Sequence, residues 1–288
     1  YGAYSAIARG EWVMNQEGIT PAEYAPHVEA LRTEPGHVRA WCRMAREAGM
    51  RYAVLTAKHH DGFCLWDSRA SEFNSARIGP RLDIVKIFVE ACRAEGLRVG
   101  LYYSLADWTH PDGAACATDE SARRRFVGYT HALVRELCTG YGPIDVLWFD
   151  GPWPLGTAER WESHKLLADI RDLQPGCLVN NRLGTGLDGD FGTPEGHIKA
   201  EDRPWEACMT FNGDWGYTET PADDWRSPRE VARMLQSCAS QCGNLLLNIG
   251  PMADGAIPPA AIARLERVGR WLRVHREACL APMDRIDR

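Results

Sequence analysis

The chain has 288 residues, of which 45% are hydrophobic and 25% charged, a composition that supports a large buried core. The formal net charge is −6 and no basic run occurs, which argues against nucleic acid or an anionic membrane as a partner. No apolar stretch reaches membrane-spanning length, and the ten cysteines are scattered without zinc-ligand spacing. We therefore expect buried thiols in a reducing, cytoplasmic compartment.

Short apolar strands alternate with amphipathic helices along the chain. Clear strands are predicted over residues 52–57, 98–104, 144–150, 177–181 and 244–249, and weaker ones over 3–6, 197–200 and 207–211. Helices are predicted over 35–48, 82–95, 119–138, 158–173, 227–239 and 258–278. Eight strands separated by helices predict an α/β protein with one domain, a (β/α)₈ TIM-like barrel over residues 1–288.

An open, doubly wound sheet is the alternative architecture. It usually carries a glycine-rich phosphate loop, and neither GxGxxG nor GxxxxGK occurs in this sequence. The barrel also accounts for the polar and aromatic residues that follow nearly every predicted strand, because strand carboxyl ends converge on one face. These residues are carboxylates, histidines, an arginine and aromatic rings, a set typical of glycoside hydrolysis.

Asp150 is the strongest candidate for a catalytic group. It ends the apolar run VLWF at 146–149, and Gly151 follows it. A carboxylate in this place fits a catalytic group at a barrel mouth, but aspartate at a strand end also commonly caps the next loop. The local sequence leaves both readings open.

Other chemistries have less support in the sequence. Lys58 also follows a strand, but nothing further indicates a Schiff-base lysine. His59 and His60 are adjacent, and neighbouring residues of a strand point to opposite faces, so they favour binding of sugar hydroxyls over chelation of one metal. We predict no metal and no cofactor, and a carbohydrate or glycoside as the partner; the oligomeric state stays open.

Six segments, in order, resemble glycoside hydrolase family 29, the α-L-fucosidases. They are YGAYSAIARGEW, YAVLTAKHHDGFCLWDS, GLRVGLYYSLADW, YGPIDVLWFDG, DFGTPE and GNLLLNIGPMADGAIPP, and together they span nearly the whole chain. The resemblance implies a (β/α)₈-like barrel and a retaining exo-glycosidase that acts on α-L-fucosides through a covalent glycosyl-aspartate. It implies Asp150 as the nucleophile and Glu195 as the acid/base, with Glu201 and Glu206 as rival acids.

The resemblance also implies a set of sugar-binding positions. These are Glu11, Trp12, His59, His60, Tyr102, Trp148, Arg182 and Trp205, with Tyr103 as a neighbouring alternative to Tyr102. The family usually carries a His-Trp pair just before the segment that opens at Tyr1, and many members carry a C-terminal β-sandwich. We expect this chain to lack the sandwich.

Three functions therefore remain in view. The first is hydrolysis of α-L-fucosides. The second is a glycosidase or transglycosidase of the same fold that acts on a different or specialised deoxysugar glycoside. The third is a non-catalytic sugar-binding relative, against which the presence of both Asp150 and Glu195 argues.

Overall fold

The computed structural model describes residues 1–280 and contains two parallel β-sheets. The first sheet has four strands in chain order: β1 Tyr52–Lys58, β2 Arg98–Ser104, β3 Val146–Asp150 and β4 Leu178–Val179. The second sheet pairs β5 Glu206–Thr210 with β6 Asn244–Asn248. Because the strands of each sheet run parallel, their carboxyl ends lie on the same side, with Ser104 opposite Asp150.

The segment 190–196 lies between β4 and β5 and connects the two sheets by backbone hydrogen bonds. The Asp190 amide donates to the Val179 carbonyl at 2.7 Å on the β4 side. The Gly196 amide donates to the Cys208 carbonyl at 3.0 Å on the β5 side. The strands and this segment thus form a continuous hydrogen-bonded wall from β1 to β6.

Eight α-helices are described. They are α1 Val13–Gln16, α2 Pro21–Val28, α3 Pro35–Glu47, α4 Ile84–Ala94, α5 Glu120–Gly140, α6 Ser163–Leu173, α7 Pro228–Ser240 and α8 Pro259–Leu280. Several begin at a residue whose side chain accepts a free amide of the first turn, as Asp83 accepts from Lys86 at 2.8 Å before α4. The buried faces of α3, α4, α5 and α6 pack in the same core as the first sheet, and those of α7 and α8 pack against the second.

The structure does not confirm a closed eight-stranded barrel. Residues 3–6, expected as a weak strand, form a 3₁₀ helix in which the Ser5 amide bonds back to the Gly2 carbonyl. Residues 197–200 form no strand, whereas the weak strand expected at 207–211 is β5, shifted by one residue. Six strands are therefore described instead of eight, and the extent of the domain stays a prediction.

The wall is open between β1 and β6. No backbone pairing joins these two strands within residues 1–280, and β2 is the only strand of this part of the chain that pairs with β1. All five residues of β6 are partly exposed, although its central residues are three leucines. An apolar parallel strand is normally buried on both faces, so the gap leaves apolar surface uncovered.

The nine cysteines from Cys42 to Cys242 are free thiols. Eight are buried and Cys242 is exposed. Cys238 and Cys242, which are four residues apart, are not bonded to each other. Within residues 1–280, no helix combines the length and the apolar character needed to cross a lipid bilayer.

Candidate active site

One cavity of about 450 Å³ gathers nine of the ten site residues predicted from the sequence. Those nine are Glu11, Trp12, His59, His60, Tyr102, Trp148, Asp150, Arg182 and Glu195. Several of them lie at the carboxyl ends of β1, β2 and β3, or just beyond, where a parallel sheet places its functional groups. The same cavity extends into the gap between β1 and β6.

Asp150 presents its carboxylate to two donors in this cavity. The Tyr102 hydroxyl donates to Oδ2 at 2.9 Å, and Arg182 Nη1 donates to Oδ1 at 3.0 Å. The carboxylate makes no hydrogen bond to the loop that follows, so the loop-capping interpretation is wrong. Burial raises the pKa of Tyr102, and the charge of Asp150 raises it further, so this hydroxyl keeps its proton.

Arg182 joins Asp150 to Glu195. The same Nη1 atom lies 2.7 Å from Glu195 Oε2, so the two carboxylate oxygens can be no farther apart than about 5.7 Å. Thr193 holds the guanidinium in place by accepting from Nε at 2.9 Å and from Nη2 at 3.0 Å. Burial would lower the pKa of Arg182, but the charges of Asp150 and Glu195 outweigh this effect and raise that pKa.

Glu195 is placed by β5 through its neighbours in the chain. The Cys208 amide donates to the Pro194 carbonyl at 3.0 Å, and Gly196 bonds back to the carbonyl of Cys208. The backbone on both sides of Glu195 is therefore fixed, while its side chain remains 42% exposed. A carboxyl group in this setting can meet both a bound sugar and water.

His59 and His60 both reach the cavity, contrary to strict alternation along a strand. The register of β1 and β2 shifts between Thr56 and Lys58, and the two histidines lie beyond the end of β1, with ring centroids 3.9 Å apart. His59 Nδ1 is buried without a hydrogen-bond partner. His60 Nδ1 lies 2.6 Å from Ser104 Oγ, and burial lowers its pKa to about 4, so its ring is neutral near pH 7.

Aromatic rings form much of the remaining cavity wall. Trp148 stacks on Tyr102 with ring centroids 5.6 Å apart, and the Arg182 guanidinium lies 4.6 Å from the Trp148 ring centroid. Trp12 contacts His60 and Trp153 with ring centroids 5.4 Å and 5.7 Å apart. Such faces are suited to the apolar side of a sugar ring.

Sequence reasoning missed two tryptophans of the cavity that follow strands, Trp153 and Trp215. Trp153 is 49% exposed and lies three residues after Asp150, in the loop whose first residues were already singled out. Trp215 follows β5, so its place after a strand was a usable signal. Both positions fitted the rule by which the other site residues were selected.

Trp205 is a correction to the predicted binding set. Its ring is 4% exposed and packs in the hydrophobic cluster beneath α7 and α8, and its Nε1 donates to the Gln241 carbonyl at 3.3 Å. It does not line the cavity because it precedes β5 and so lies at the opposite end of the sheet from the carboxyl ends.

The rival residues also lie outside the cavity. Glu201 and Glu206 do not line it, and Glu206 is buried beneath Trp148. Tyr103, the alternative to Tyr102, is buried beside Lys58. Lys58 Nζ is itself buried, 3.4 Å from Asp107 Oδ2, and does not reach the cavity.

Two carboxylates bridged by an arginine and surrounded by histidine and aromatic rings are the features of a glycoside hydrolase site. Residues 1–277 match the sequence model of the family described as Alpha-L-fucosidase. The chain belongs to the α-L-fucosidase family, glycoside hydrolase family 29, as the sequence motifs predicted. The plasma α-L-fucosidase of Rattus norvegicus is 37% identical over 256 residues, which cover 83% of this chain and 54% of that protein. The chain thus spans about half the length of the curated relatives it matches.

Solved structures of the family share this fold. α-L-Fucosidase isoenzyme 1 from Paenibacillus thiaminolyticus superposes with a TM-score of 0.88 at 38% identity, covering 96% of this chain and 73% of that one. An α-L-fucosidase from Bacteroides thetaiotaomicron, described as a trapped covalent intermediate with 2-fluoro-fucosyl fluoride, superposes with a TM-score of 0.87 at 27% identity. There the match covers 96% of this chain and 71% of that one.

Proposed function

We propose that this chain hydrolyses α-L-fucosides with net retention, with Asp150 as nucleophile and Glu195 as acid/base. The observation that carries the proposal is the shared contact of both carboxylates with Arg182 Nη1. Retaining glycosidases separate their two carboxyl groups by about 5–5.5 Å, and inverting ones by about 6.5–9.5 Å. The two oxygens that contact Arg182 Nη1 lie within about 5.7 Å of each other, which agrees with the retaining arrangement.

The reaction has two steps in this proposal. In the first, an Asp150 oxygen bonds to the anomeric carbon while the glycosidic bond breaks, and Glu195 gives its proton to the departing oxygen. In the second, Glu195 takes a proton from water, whose oxygen attacks the anomeric carbon and releases Asp150. The covalent intermediate described for the Bacteroides thetaiotaomicron relative supports this sequence of steps.

The contact with Arg182 limits how Glu195 can donate its proton in the first step. Its N–H groups can only donate, so they require an acceptor oxygen, and one of them faces Glu195 Oε2 at 2.7 Å. Glu195 can present a proton to the leaving oxygen only from its other oxygen or after it separates from Arg182. The partly exposed Glu195 side chain has room for that movement.

The sugar would be held by the remaining cavity residues. His59 and His60 line the cavity, where the neutral ring of His60 suits a sugar hydroxyl, and Trp12 and Trp148 offer apolar faces. Glu11 is 7% exposed, and its Oε2 accepts from the Gly216 amide at 2.6 Å, so it is fixed as a further acceptor.

Asp150→Gly tests the nucleophile. With an aryl α-L-fucoside we expect kcat to fall by about 10³-fold or more, because no group then attacks the anomeric carbon. Added azide should restore part of the rate by occupying the vacated space. The product should be the fucosyl azide of inverted, β configuration, identified by nuclear magnetic resonance, because azide replaces the nucleophile in a single displacement.

Glu195→Ala is the matched control. An activated aryl fucoside still fucosylates Asp150 without an acid, so azide then enters in the second step and should give the α azide, with retained configuration. If Glu195→Ala gave the β azide instead, Glu195 would be the nucleophile and Asp150 the acid/base. Wild-type turnover with no effect of either substitution would reject the proposal.

A further inference from the structure

Glu206 carries a buried carboxylate that the proposed reaction does not use. It is the first residue of β5, is 5% exposed, and receives three hydrogen bonds from neutral donors. Trp148 Nε1 donates to Oε1 at 3.0 Å, and Asn244 Nδ2 donates to Oε2 at 3.0 Å. The Tyr52 hydroxyl donates to Oε2 as well.

A buried glutamate in this arrangement costs stability compared with an apolar residue, so packing alone does not explain its presence. Burial raises the pKa of Glu206, and the bonds from Tyr52, Trp148 and Asn244 lower it only in part. A buried carboxylate without a cation is expensive to keep compared with a well-packed apolar side chain. A glutamine side chain at this position would place its NH₂ group, which can only donate, opposite one of the donor groups. Only a carboxylate can therefore accept hydrogen bonds from all three groups.

The Trp148 indole links Glu206 to the candidate catalytic groups. Its ring stacks on Tyr102 at 5.6 Å and lies 4.6 Å below the Arg182 guanidinium carbon. Tyr102 and Arg182 are the two donors to Asp150, and Arg182 also holds Glu195. The Trp148 indole therefore contacts the two side chains that donate to the carboxylates, and its own N–H donates to Glu206.

We infer that Glu206 is a positioning residue, which fixes the Trp148 indole and through it the Tyr102 and Arg182 donors of the two carboxylates. The inference rests on the proposed function, since it assigns Glu206 to the same site. A hydrogen bond to a charged acceptor is stronger and more directional than one to a neutral group, which suits this role.

Glu206→Gln is the first test. The substitution keeps the shape of the side chain but places an NH₂ group opposite one of the three donors. We therefore expect kcat/KM on an aryl α-L-fucoside to fall about 10- to 100-fold, which is the scale of a small misplacement of catalytic groups. We also expect a comparable loss in affinity for a fucose-configured iminocyclitol, measured by calorimetry, with the stoichiometry kept near one. A purely structural role would instead lower the stoichiometry and leave the affinity of the folded fraction unchanged.

Glu136→Gln is the matched control. Glu136 on α5 accepts from the Trp66 indole at 2.8 Å, the same carboxylate–indole pair, but neither residue lines the cavity. We expect this variant to unfold at a lower temperature with kcat/KM and iminocyclitol affinity close to wild type. Equal losses of affinity in Glu136→Gln and Glu206→Gln would overturn the inference.

Trp148→Phe tests the link between Glu206 and the indole, because it keeps an aromatic ring and removes the N–H. We expect it to lower kcat/KM and iminocyclitol affinity by about as much as Glu206→Gln does. In the double variant, Glu206→Gln should lower these quantities by less than about a further twofold, because the effects of coupled residues are not additive. Multiplicative losses would overturn the inference. If Glu206→Gln does not fold, Trp148→Phe alone decides: a kcat/KM and an iminocyclitol affinity within about twofold of wild type would overturn the inference.

The proposed function and this inference can fail separately. If wild type hydrolyses no α-L-fucoside but binds the iminocyclitol, the proposed function fails, and the affinities of Glu206→Gln and Trp148→Phe still decide the inference. If wild type neither hydrolyses an α-L-fucoside nor binds the iminocyclitol, both fail.

Discussion

Arg182 is the residue through which the two candidate catalytic carboxylates meet. The sequence placed Asp150 at a strand end, but its local pattern did not separate a catalytic group from a loop cap. The partners of the side chain separate them, because Tyr102 and Arg182 come from other elements and the following loop contributes none. Glu195 was assigned by family resemblance alone, since nothing in its local pattern distinguishes it from Glu201 or Glu206.

Gly151 makes the position of Asp150 sensitive to a single methyl group. Its φ is +67°, and a Cβ there would lie 2.8 Å from Ser104 Oγ and 3.1 Å from the Ala106 amide nitrogen. We expect Gly151→Ala to lower kcat/KM about 10- to 100-fold, because relief of the clash moves the end of β3. Steady-state kinetics on an aryl α-L-fucoside measure this loss.

Gly156→Ala separates displacement from backbone strain. Gly156 has a similar φ of +74°, but a Cβ there meets nothing within 4 Å. Both variants should lose about 1–2 kcal/mol in the free energy of unfolding from the left-handed conformation, and only Gly151→Ala should lose catalytic efficiency. Similar kinetics for the two variants would show that the contact with Ser104 does not position Asp150.

Helices were easier to predict than strands. The helical period places apolar residues on one face over many positions, so the helix predicted at 35–48 is observed at Pro35–Glu47 and that at 227–239 at Pro228–Ser240. Strand signals are shorter and depend on pairing. The clear strand expected at 177–181 is reduced to Leu178–Val179, because only these two residues pair with β3.

The gap between β1 and β6 gives an expectation at the level of elements. Ala53 and Leu246 from the two strands, with Ala45 and Leu272 from α3 and α8, line an apolar cavity that is open to solvent. We expect this 288-residue chain to bind an apolar fluorescent dye there, because its cavity presents apolar side chains to solvent. Ala53→Phe should reduce dye fluorescence by filling the cavity.

Ala132→Phe is the control for this measurement. Ala132 is exposed on α5, outside the cavity, so the same substitution adds apolar area without filling the gap. We expect this variant to bind at least as much dye as wild type. Dye binding in Ala53→Phe equal to that of wild type would place the dye elsewhere on the protein.

The stability of the whole molecule should depend on pH through Asp61. Burial raises the pKa of Asp61 to about 6 from an ordinary value of 3.8, so the folded state keeps a proton that the unfolded state releases. The contribution of this carboxyl group is therefore present below pH 4 and is lost as the pH rises to about 6. His60, with its pKa lowered by burial to about 4, acts in the opposite direction over much of the same range.

Asp61→Asn removes one of these opposing contributions. Relative to wild type, its free energy of unfolding should rise by about 2–3 kcal/mol between pH 4 and pH 7, because no buried carboxylate has to ionise. Urea unfolding at several pH values measures the difference. Parallel stability curves for the two proteins would contradict the assignment of a proton to folded Asp61.

The sequence by itself determined the alternation of helices and strands, the membership of the family, and nine of the residues that line the cavity. These properties are local, since they depend on periodic burial and on which side chains follow a strand. Only the tertiary structure decided that Asp150 and Glu195 share Arg182, that Trp205 lies in the core, and that β1 and β6 are unpaired. The physical reason is that contacts between distant positions depend on strand register and packing, which no short stretch of sequence encodes.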